Sequence, residues 1–367
     1  MKVQIVDPPA YTPPYDRALC AALARAGADV ELVTSRFVYG PVAEAEGYRV
    51  TELFHRRAVA GDRQPGARRA LRAAEHPADM LRLRRHAREA DVVHLQWPGI
   101  PAVDRLLLPP RPRVMTLHDP LPARGAALAA WRSLLRSMDA VISHSEPGVE
   151  RLVELGIDRG RVHRIAHGAF DDLLRIADRR PLPPDLAEVE GPVVLCFGLI
   201  RPYKGIEVLL RAFAELEGAE LWIVGMPRMP LEPLEELARR SRSRVRFVPR
   251  FVTDPEIPAF FERADLVVLP YLEIEQSGVL YTALAFGSAI VASAVGGFVE
   301  VGARDHALRL VEPGNVDSLR AALAELLADP RGRAELAAAA ARAAAGPYSW
   351  DRIAAETLAV YRPLVAG

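Results

Sequence analysis

Short apolar runs alternate with amphipathic stretches of helical length along almost the whole chain. VQIV (3–6), VELVT (30–34), VVHLQ (92–96), RVMTLH (113–118), AVISHS (140–145) and RVHRIA (161–166) read as strands. Their apolar residues are contiguous rather than alternating, as expected of parallel strands covered on both faces. Between them lie segments such as YDRALCAALARAG, which has helical spacing and should stop at Gly27. The stretch ADRRPLPPDLAEVEGP (177–192) breaks the rhythm with four prolines and many charges, and reads as an interdomain linker. Beyond it VVLCFG (193–198), ELWIVG (220–225), RVRFVPR (244–250), LVVLP (266–270), AIVAS (289–293) and ALRLVE (307–312) restart the alternation. Two successive βα arrays predict an α/β protein of two doubly wound, Rossmann-like domains, 1–180 and 181–346. Ligands of such sheets sit outside the carboxyl ends of the strands, which for two domains facing each other means the cleft between them.

Composition narrows the class. A chain of 367 residues, 50% hydrophobic and 26% charged, has material for two cores. Net charge is zero but unevenly divided: residues 1–180 hold 28 basic against 22 acidic side chains, and residues 181–367 hold 19 against 25. The two cysteines, Cys20 and Cys196, have no metal-ligand spacing, which points to a reducing compartment. The N-terminus lacks the apolar length of a signal peptide and no run of 18 apolar residues occurs, so a cytoplasmic protein is expected. No nucleic-acid motif is present. Of 47 basic residues only Lys2 and Lys204 are lysine.

Lys204 sits in FGLIRPYKG, which has the layout of a strand, a turn at Gly198 and a helix from about Gly205. Arg201 and Lys204 would emerge at the strand's carboxyl end, a forked guanidinium and a compact ammonium suited to phosphate oxygens. Each charge-assisted hydrogen bond there would be worth roughly 1.5–3 kcal/mol. A second dense segment, EIEQSGVLYTALAFGSAIVASAVGGFVEV (273–301), follows another strand end. Gln276-Ser277-Gly278 reads as a helix start, with Ser277 as N-cap and Gly278 allowing close approach to the backbone. The unpaired N–H groups and dipole of that helix suit a diphosphate.

In order, F-G-x-x-R-x-x-K-G, P-Y-x(5)-Q-S-G and A-F-G-x-x-I-V-A-x-x-V-G-G-x-x-E resemble the family-four (group 1) retaining glycosyltransferases of the GT-B fold, in the subset with Gln-Ser-Gly. ADVVHLQW, VMTLHDP, MDAVISHSE and RIAHGAF fit more loosely. The tail, LVEPGNVDSLRAALAELLADP and YSWDRIAAETLAVY, resembles the family's closing helices, with the last (347–367) returning to the first domain. The resemblance implies retaining, metal-independent transfer of a hexose from a nucleotide-sugar such as a UDP- or GDP-sugar, with no other cofactor. The acceptor would be a glycan or glycolipid in cell-surface polysaccharide or glycolipid assembly. It places Arg201 and Lys204 on the donor diphosphate beside Gly198, with the N–H groups of Ser277, Gly278 and Val279. Phe251 and Val252 would hold the base, and Gln276 and Glu300 would lie near the donor.

Three departures stand out. Many relatives carry two glutamates eight apart, the second on the ribose; that second place is Thr282 here, and Glu273 and Glu275 both compete for the first. The first strand's loop, glycine-rich in many relatives, is DPPAYTPPYDRAL, where Tyr11 and Tyr15 on a stiff loop could pack on a sugar or acceptor. The absent second glutamate keeps open an alternative: a GT-B protein that hydrolyses, epimerises or only binds its nucleotide-sugar.

His118, ending a strand in the first half, is the candidate to hydrogen-bond a donor hydroxyl or orient the acceptor. His167 and Ser145-Glu146 read as structural. Residues 55–88 hold ten arginines and three acids, and Leu71, Met80, Leu81 and Leu83 could turn this stretch into a basic face that touches the inner membrane surface.

Overall fold

The computed structural model describes residues 1–61, 64–119 and 121–366. The chain forms two compact units, one of Met1–Gly168 with Trp350–Gly367 and one of Ala169–Ser349. Residues 177–192, which the sequence places between domains, are part of the second unit. There Arg180 N–H donates to the Pro255 carbonyl (2.8 Å) and Leu186 is buried, so a proline-rich stretch is here a packed segment.

In the first unit seven strands, β1 (Lys2–Asp7), β2 (Asp29–Ser35), β3 (Arg49–Phe54), β4 (Val92–Leu95), β5 (Arg113–Leu117), β6 (Ala140–Ser143) and β7 (Val162–Arg164), form one sheet. The order is β3-β2-β1-β4-β5-β6-β7, and every pairing is parallel. The pattern of apolar runs finds all of them except β3. RVTELF mixes charged and apolar residues because an edge strand is only half covered, and Arg49 pairs with Asp29 at 2.8 Å on that open side. The helix Pro13–Arg25 ends at Ala26, and Gly27 follows with φ +92°. The C-terminal helix Trp350–Ala366 packs on Pro13–Arg25 within this unit, anchored by Ile353, Leu358 and Tyr361.

The second unit holds β8 (Val193–Phe197), β9 (Glu220–Val224), β10 (Val245–Val248), β11 (Leu266–Leu269), β12 (Ile290–Ser293) and β13 (Arg309–Val311), all parallel, in the order β10-β9-β8-β11-β12-β13. β8, β11 and β12 are buried almost throughout, in keeping with their unbroken apolar sequences. Both units thus have a topological switch point, between β1 and β4 and between β8 and β11, where neighbouring crossovers leave in opposite directions and open a crevice.

The basic stretch of the first unit is mostly the helix Pro65–His86. Met80 and Leu83, offered by the sequence as outward apolar surface, are fully buried against β3 and β4 residues, leaving Leu81 exposed among arginines. The amphipathic face of this helix is therefore chiefly the one that holds it to its own sheet. Among the described residues no helix is long and apolar enough to cross a membrane.

Two loops meet at the switch point of the second unit. Gly205, at φ +65°, precedes the helix Ile206–Phe213, and a Cβ there would lie 1.9 Å from the carbonyl oxygen of Pro270, after β11. Gly205→Ala is therefore expected to destabilise this unit by about 3 kcal/mol or more, because both the left-handed backbone and a fixed carbonyl oppose it. Urea unfolding of the variant against wild type measures the loss.

Candidate functional site

The loop after β8 carries Gly198, Arg201 and Lys204, and the loop after β11 carries Tyr271 and Ser277. Leu272 N–H donates to the Tyr203 carbonyl at 2.8 Å, tying the two loops together. Lys204 turns inward: it is 6% exposed, its ammonium donates to the Tyr271 hydroxyl at 2.5 Å, and it lies 4.4 Å from the centre of that ring. Lysine can only donate, so the phenol oxygen accepts and its proton is directed to Ser277 Oγ, 3.2 Å away. Burial holds the Tyr271 phenol above its ordinary value, keeping that proton in place, and lowers Lys204. No carboxylate meets this ammonium among the described residues. A buried cation with so little compensation costs several kcal/mol, which an anion at the same place would offset.

Arg201 is exposed at the start of the short turn Pro202–Lys204, close enough to lower Lys204 further. Gly198 lies under the ammonium: a Cβ there would come 3.1 Å from Lys204 Nζ and 2.9 Å from a Val279 methyl. The structure therefore gathers Gly198, Arg201, Lys204, Ser277 and Val279 at one strand end. Tyr271, to which the sequence alone assigns no role, holds them together; its signal is an aromatic two residues past a buried strand.

The helix Gly278–Ala285 begins at this point. Ser277 occupies its N-cap position, but the side chain makes no capping bond and turns to Tyr271 instead, a correction to the expected cap. N–H groups in the first turn have no acceptor within a helix. The preceding loop is pinned from behind by Gly296, whose φ is +48° and whose added Cβ would fall 1.8 Å from the Ile274 carbonyl oxygen. Gly297 N–H donates to the Glu275 carbonyl at 3.0 Å. Gln276 Oε1 accepts from Tyr281 at 2.9 Å, which binds its amide to its own helix. Glu275 and Glu300 are half-buried, the latter in the first turn of the helix Gly297–Asp305. Thr282 donates to the Gly278 carbonyl at 3.0 Å. Phe251 and Val252 lie apart from this cluster in sequence, in the loop after β10; Phe251 is half-buried and Val252 buried.

In the first unit the crevice residues follow β1, β4 and β5. His118 is half-buried, with Trp97 stacked on one face (centroids 5.1 Å apart) and the edge of Tyr15 at 4.7 Å. Both ring nitrogens are engaged, Nε2 with Gln96 at 2.9 Å and Nδ1 with His144 Nε2 at 3.3 Å. His144 Nδ1 must donate to the Ile165 carbonyl (2.9 Å), so its Nε2 accepts from His118. A neutral His118 then needs a donor at Nε2. Gln96 supplies it with the amide turned nitrogen-first, which also gives a partner to an otherwise orphaned buried Nε2.

Tyr15 does not serve as a sugar platform: it is 3% exposed, enclosed by His118, His144, His167 and Trp350. Tyr11 is 65% exposed and stands edge-on to Trp97 at 5.4 Å, and Trp97 donates to Thr12 Oγ1 at 2.8 Å. Trp97, unremarked in the sequence reading, joins Tyr11 and His118 into one aromatic face. The proline-rich loop is held by Asp7, whose carboxylate accepts from Tyr11 N–H (2.7 Å) and Thr12 N–H (3.3 Å). Burial raises Asp7 to about 6, and burial with the neighbouring Asp7 charge raises Asp16. Ser145 caps the helix Glu146–Glu154 by accepting from Gly148 N–H at 3.1 Å, and His167 bonds the Gly168 carbonyl at 2.8 Å, both structural as expected.

Residues 17–172 match the family model Glycosyltransferase Family 4, and residues 191–329 match Glycosyl transferases group 1. The chain is 30% identical over 389 residues to a D-inositol 3-phosphate glycosyltransferase of Xylanimonas cellulosilytica, covering 95% of this chain and 90% of that one. A protein of the same name from Mycolicibacterium paratuberculosis is 30% identical over 272 residues, 68% of this chain and 61% of its own. The chain thus spans about three fifths of that second relative's length. Among solved structures, Anabaena Alr3699/HepE in complex with UDP-glucose superposes with a TM-score of 0.73 at 20% identity, covering 98% of this chain and 99% of that one. At that identity the likeness speaks to the fold, GT-B, alone.

Burial holds four histidines of the first unit neutral: His94 falls to about 3, His144 to about 4, and His118 and His167 well below their ordinary value. The unfolded chain binds these protons near 6.5 and the folded unit does not. Stability is therefore full above 6.5 and falls as pH drops toward 4. Each group contributes about 1.4 kcal/mol per pH unit in that window. Chemical denaturation of wild type and His144→Gln across the window should show a shallower slope in the variant.

Proposed function

The chain belongs to the group 1, family 4 glycosyltransferases, and on that premise we propose that it moves a hexose from a nucleotide-sugar to an acceptor hydroxyl with retention of configuration. The observation that carries the donor reading is the buried ammonium of Lys204, short of negative charge, beside Arg201 and a helix start. A diphosphate supplies the missing charge. Arg201 forks onto its outer oxygens, Lys204 meets the phosphate nearest Gly198, and the N–H groups of Gly278 and Val279 receive the rest. Ser277, whose oxygen accepts from Tyr271, has its own proton free to donate to the same group. Glu300, Glu275, Phe251 and Val252 are assigned to the sugar and base. A solved neighbour of the same fold binds UDP-glucose, which favours a UDP-sugar as the first donor to try.

As the bond from the anomeric carbon to the phosphate oxygen breaks, negative charge gathers on the leaving diphosphate. Arg201 and Lys204 are placed to stabilise that charge without reorganising. Among the candidate residues none stands out as a carboxylate nucleophile, so the reading is attack from the face of departure. The acceptor oxygen bonds to the anomeric carbon while its proton passes to the leaving phosphate oxygen. The acceptor side is assigned to the aromatic face of Tyr11, Trp97 and His118, where Tyr11 offers a ring and His118 holds Trp97 in place. Relatives named for D-inositol 3-phosphate make a phosphorylated polyol one acceptor class to test, beside a cell-surface glycan or glycolipid.

Lys204→Ala should lower turnover of a UDP-hexose by about a hundredfold or more and weaken UDP binding. Near-normal turnover in that variant, with the protein folded, would remove the donor assignment. Because burial lowers Lys204 below 10.5, UDP affinity in the wild type should decline with rising pH before an ordinary lysine would lose its proton. Titration calorimetry across the alkaline range, with Lys204→Met as a flat control, reads this directly.

A further inference from the structure

A cavity of about 830 Å³ opens in the first unit past the carboxyl ends of β2 and β3, lined among others by Arg36, Phe37, Glu52, Val59, Gly61 and Arg68. A neighbouring cavity of about 370 Å³ shares Arg36, Glu52 and Val59 and adds Arg56. Arg68 stands in the helix Pro65–His86, with Arg72 one turn further on. Several surface arginines elsewhere in the unit are paired, as Arg49 is with Asp29 (2.8 Å) and Arg82 with Asp79 (2.7 Å). Here two of the nearby acids are already committed. Glu75 accepts from the main-chain N–H groups of Arg57 and Ala58 (3.1 and 3.0 Å), and Asp79 accepts from that of His55 at 2.8 Å. The buried Nε atoms of Arg68 and Arg72 have no acceptor among the described residues. The excess of positive charge reaches inward: His55 is held at about 4 by burial, then by His76 and by Arg72.

We infer that this cavity binds a phosphomonoester. Across the two adjoining cavities three guanidiniums, Arg36, Arg56 and Arg68, outnumber the one carboxylate in their lining, Glu52, and forked N–H pairs match phosphate oxygens better than a single carboxylate. The volume lies in the range of about 300–1,000 Å³ usual for small-molecule sites, more than the phosphate alone requires, so the group it rides on enters as well. This deepens the proposed function: the phosphate would belong to the acceptor, carried either on a small polyol or on a lipid headgroup. The aromatic face near His118 would then be left for the part of the acceptor that is glycosylated.

The test uses the full chain, with glycerol 3-phosphate as the soluble probe and phosphatidylcholine vesicles with or without phosphatidate as the lipid probe. Wild type is expected to bind one of them at saturating UDP, and Arg68→Gln and Arg36→Gln should each weaken that binding about tenfold. UDP affinity should stay unchanged in both variants. Binding of glycerol 3-phosphate assigns a soluble source, and binding of phosphatidate vesicles alone assigns a lipid. Equal binding by wild type and variants, displacement by UDP, or no binding of either probe overturns the inference. Should Arg36→Gln fail to fold, Arg68→Gln decides, since it changes a half-exposed helical position. A wild type that binds the phosphate probe but not UDP would sink the donor reading and leave this one standing.

Discussion

The second unit is organised around a lysine ammonium buried where two parallel strands diverge. Lys204 can stay there because the oxygen of a neutral phenol accepts a hydrogen bond from it and the ring beneath adds a cation–π contact, yet neither contact neutralises it. The geometry this demands propagates outward. Tyr271 must be fixed, and it is, against Phe298 with ring centres 5.3 Å apart and through Ser277. The β8 loop must reach the β11 loop without a side chain between them, hence Gly205 against Pro270. The loop before the helix must be supported without crowding, hence Gly296 against Ile274. On the proposed reading, a diphosphate would fill this deficit of one negative charge, beside a second cation and a helix start. That is why the donor reading follows from the geometry more directly than from any one motif.

The first unit solves a different problem with different groups. Its crevice is filled by neutral histidines, each able to donate at one nitrogen and accept at the other. They chain from the Ile165 carbonyl through His144 and His118 to Gln96. A parallel device ties the C-terminal helix to the sheet: His94 bonds Tyr361 at 2.5 Å and Thr116 at 2.7 Å. Such a network fixes ring orientations without charge. The cost is sensitivity to acid, because the burial that keeps the imidazoles neutral also opposes their protonation.

Much of the architecture was readable from periodicity. All six strands of the second unit and six of seven in the first appear as mainly apolar runs, because strands covered on both faces, as β8, β11 and β12 are, leave few positions for polar residues. β3 escaped because it lies at an edge. The proline-rich 177–192 misled for a related reason: composition reports how stiff a segment is, and a stiff segment can pack as well as link. Arg201, Lys204 and the helix start were visible through the anomaly of a lone lysine beside a motif. Met80 and Leu83 on the basic helix were read as outward because a single helix cannot say which of its faces has a neighbour.

What the sequence determined by itself was therefore most of the list of elements, their parallel class and the chemistry of the residues proposed for the donor, all local properties of spacing and side-chain type. Tertiary structure decided which groups touch. It put Tyr271 under Lys204, turned Ser277 from cap to phenol partner, enclosed Tyr15 among histidines while leaving Tyr11 on Trp97, and left the Arg68 Nε beside a cavity without an acceptor among the described residues. Most of those outcomes depend on contacts between residues tens of positions apart, which no local pattern encodes.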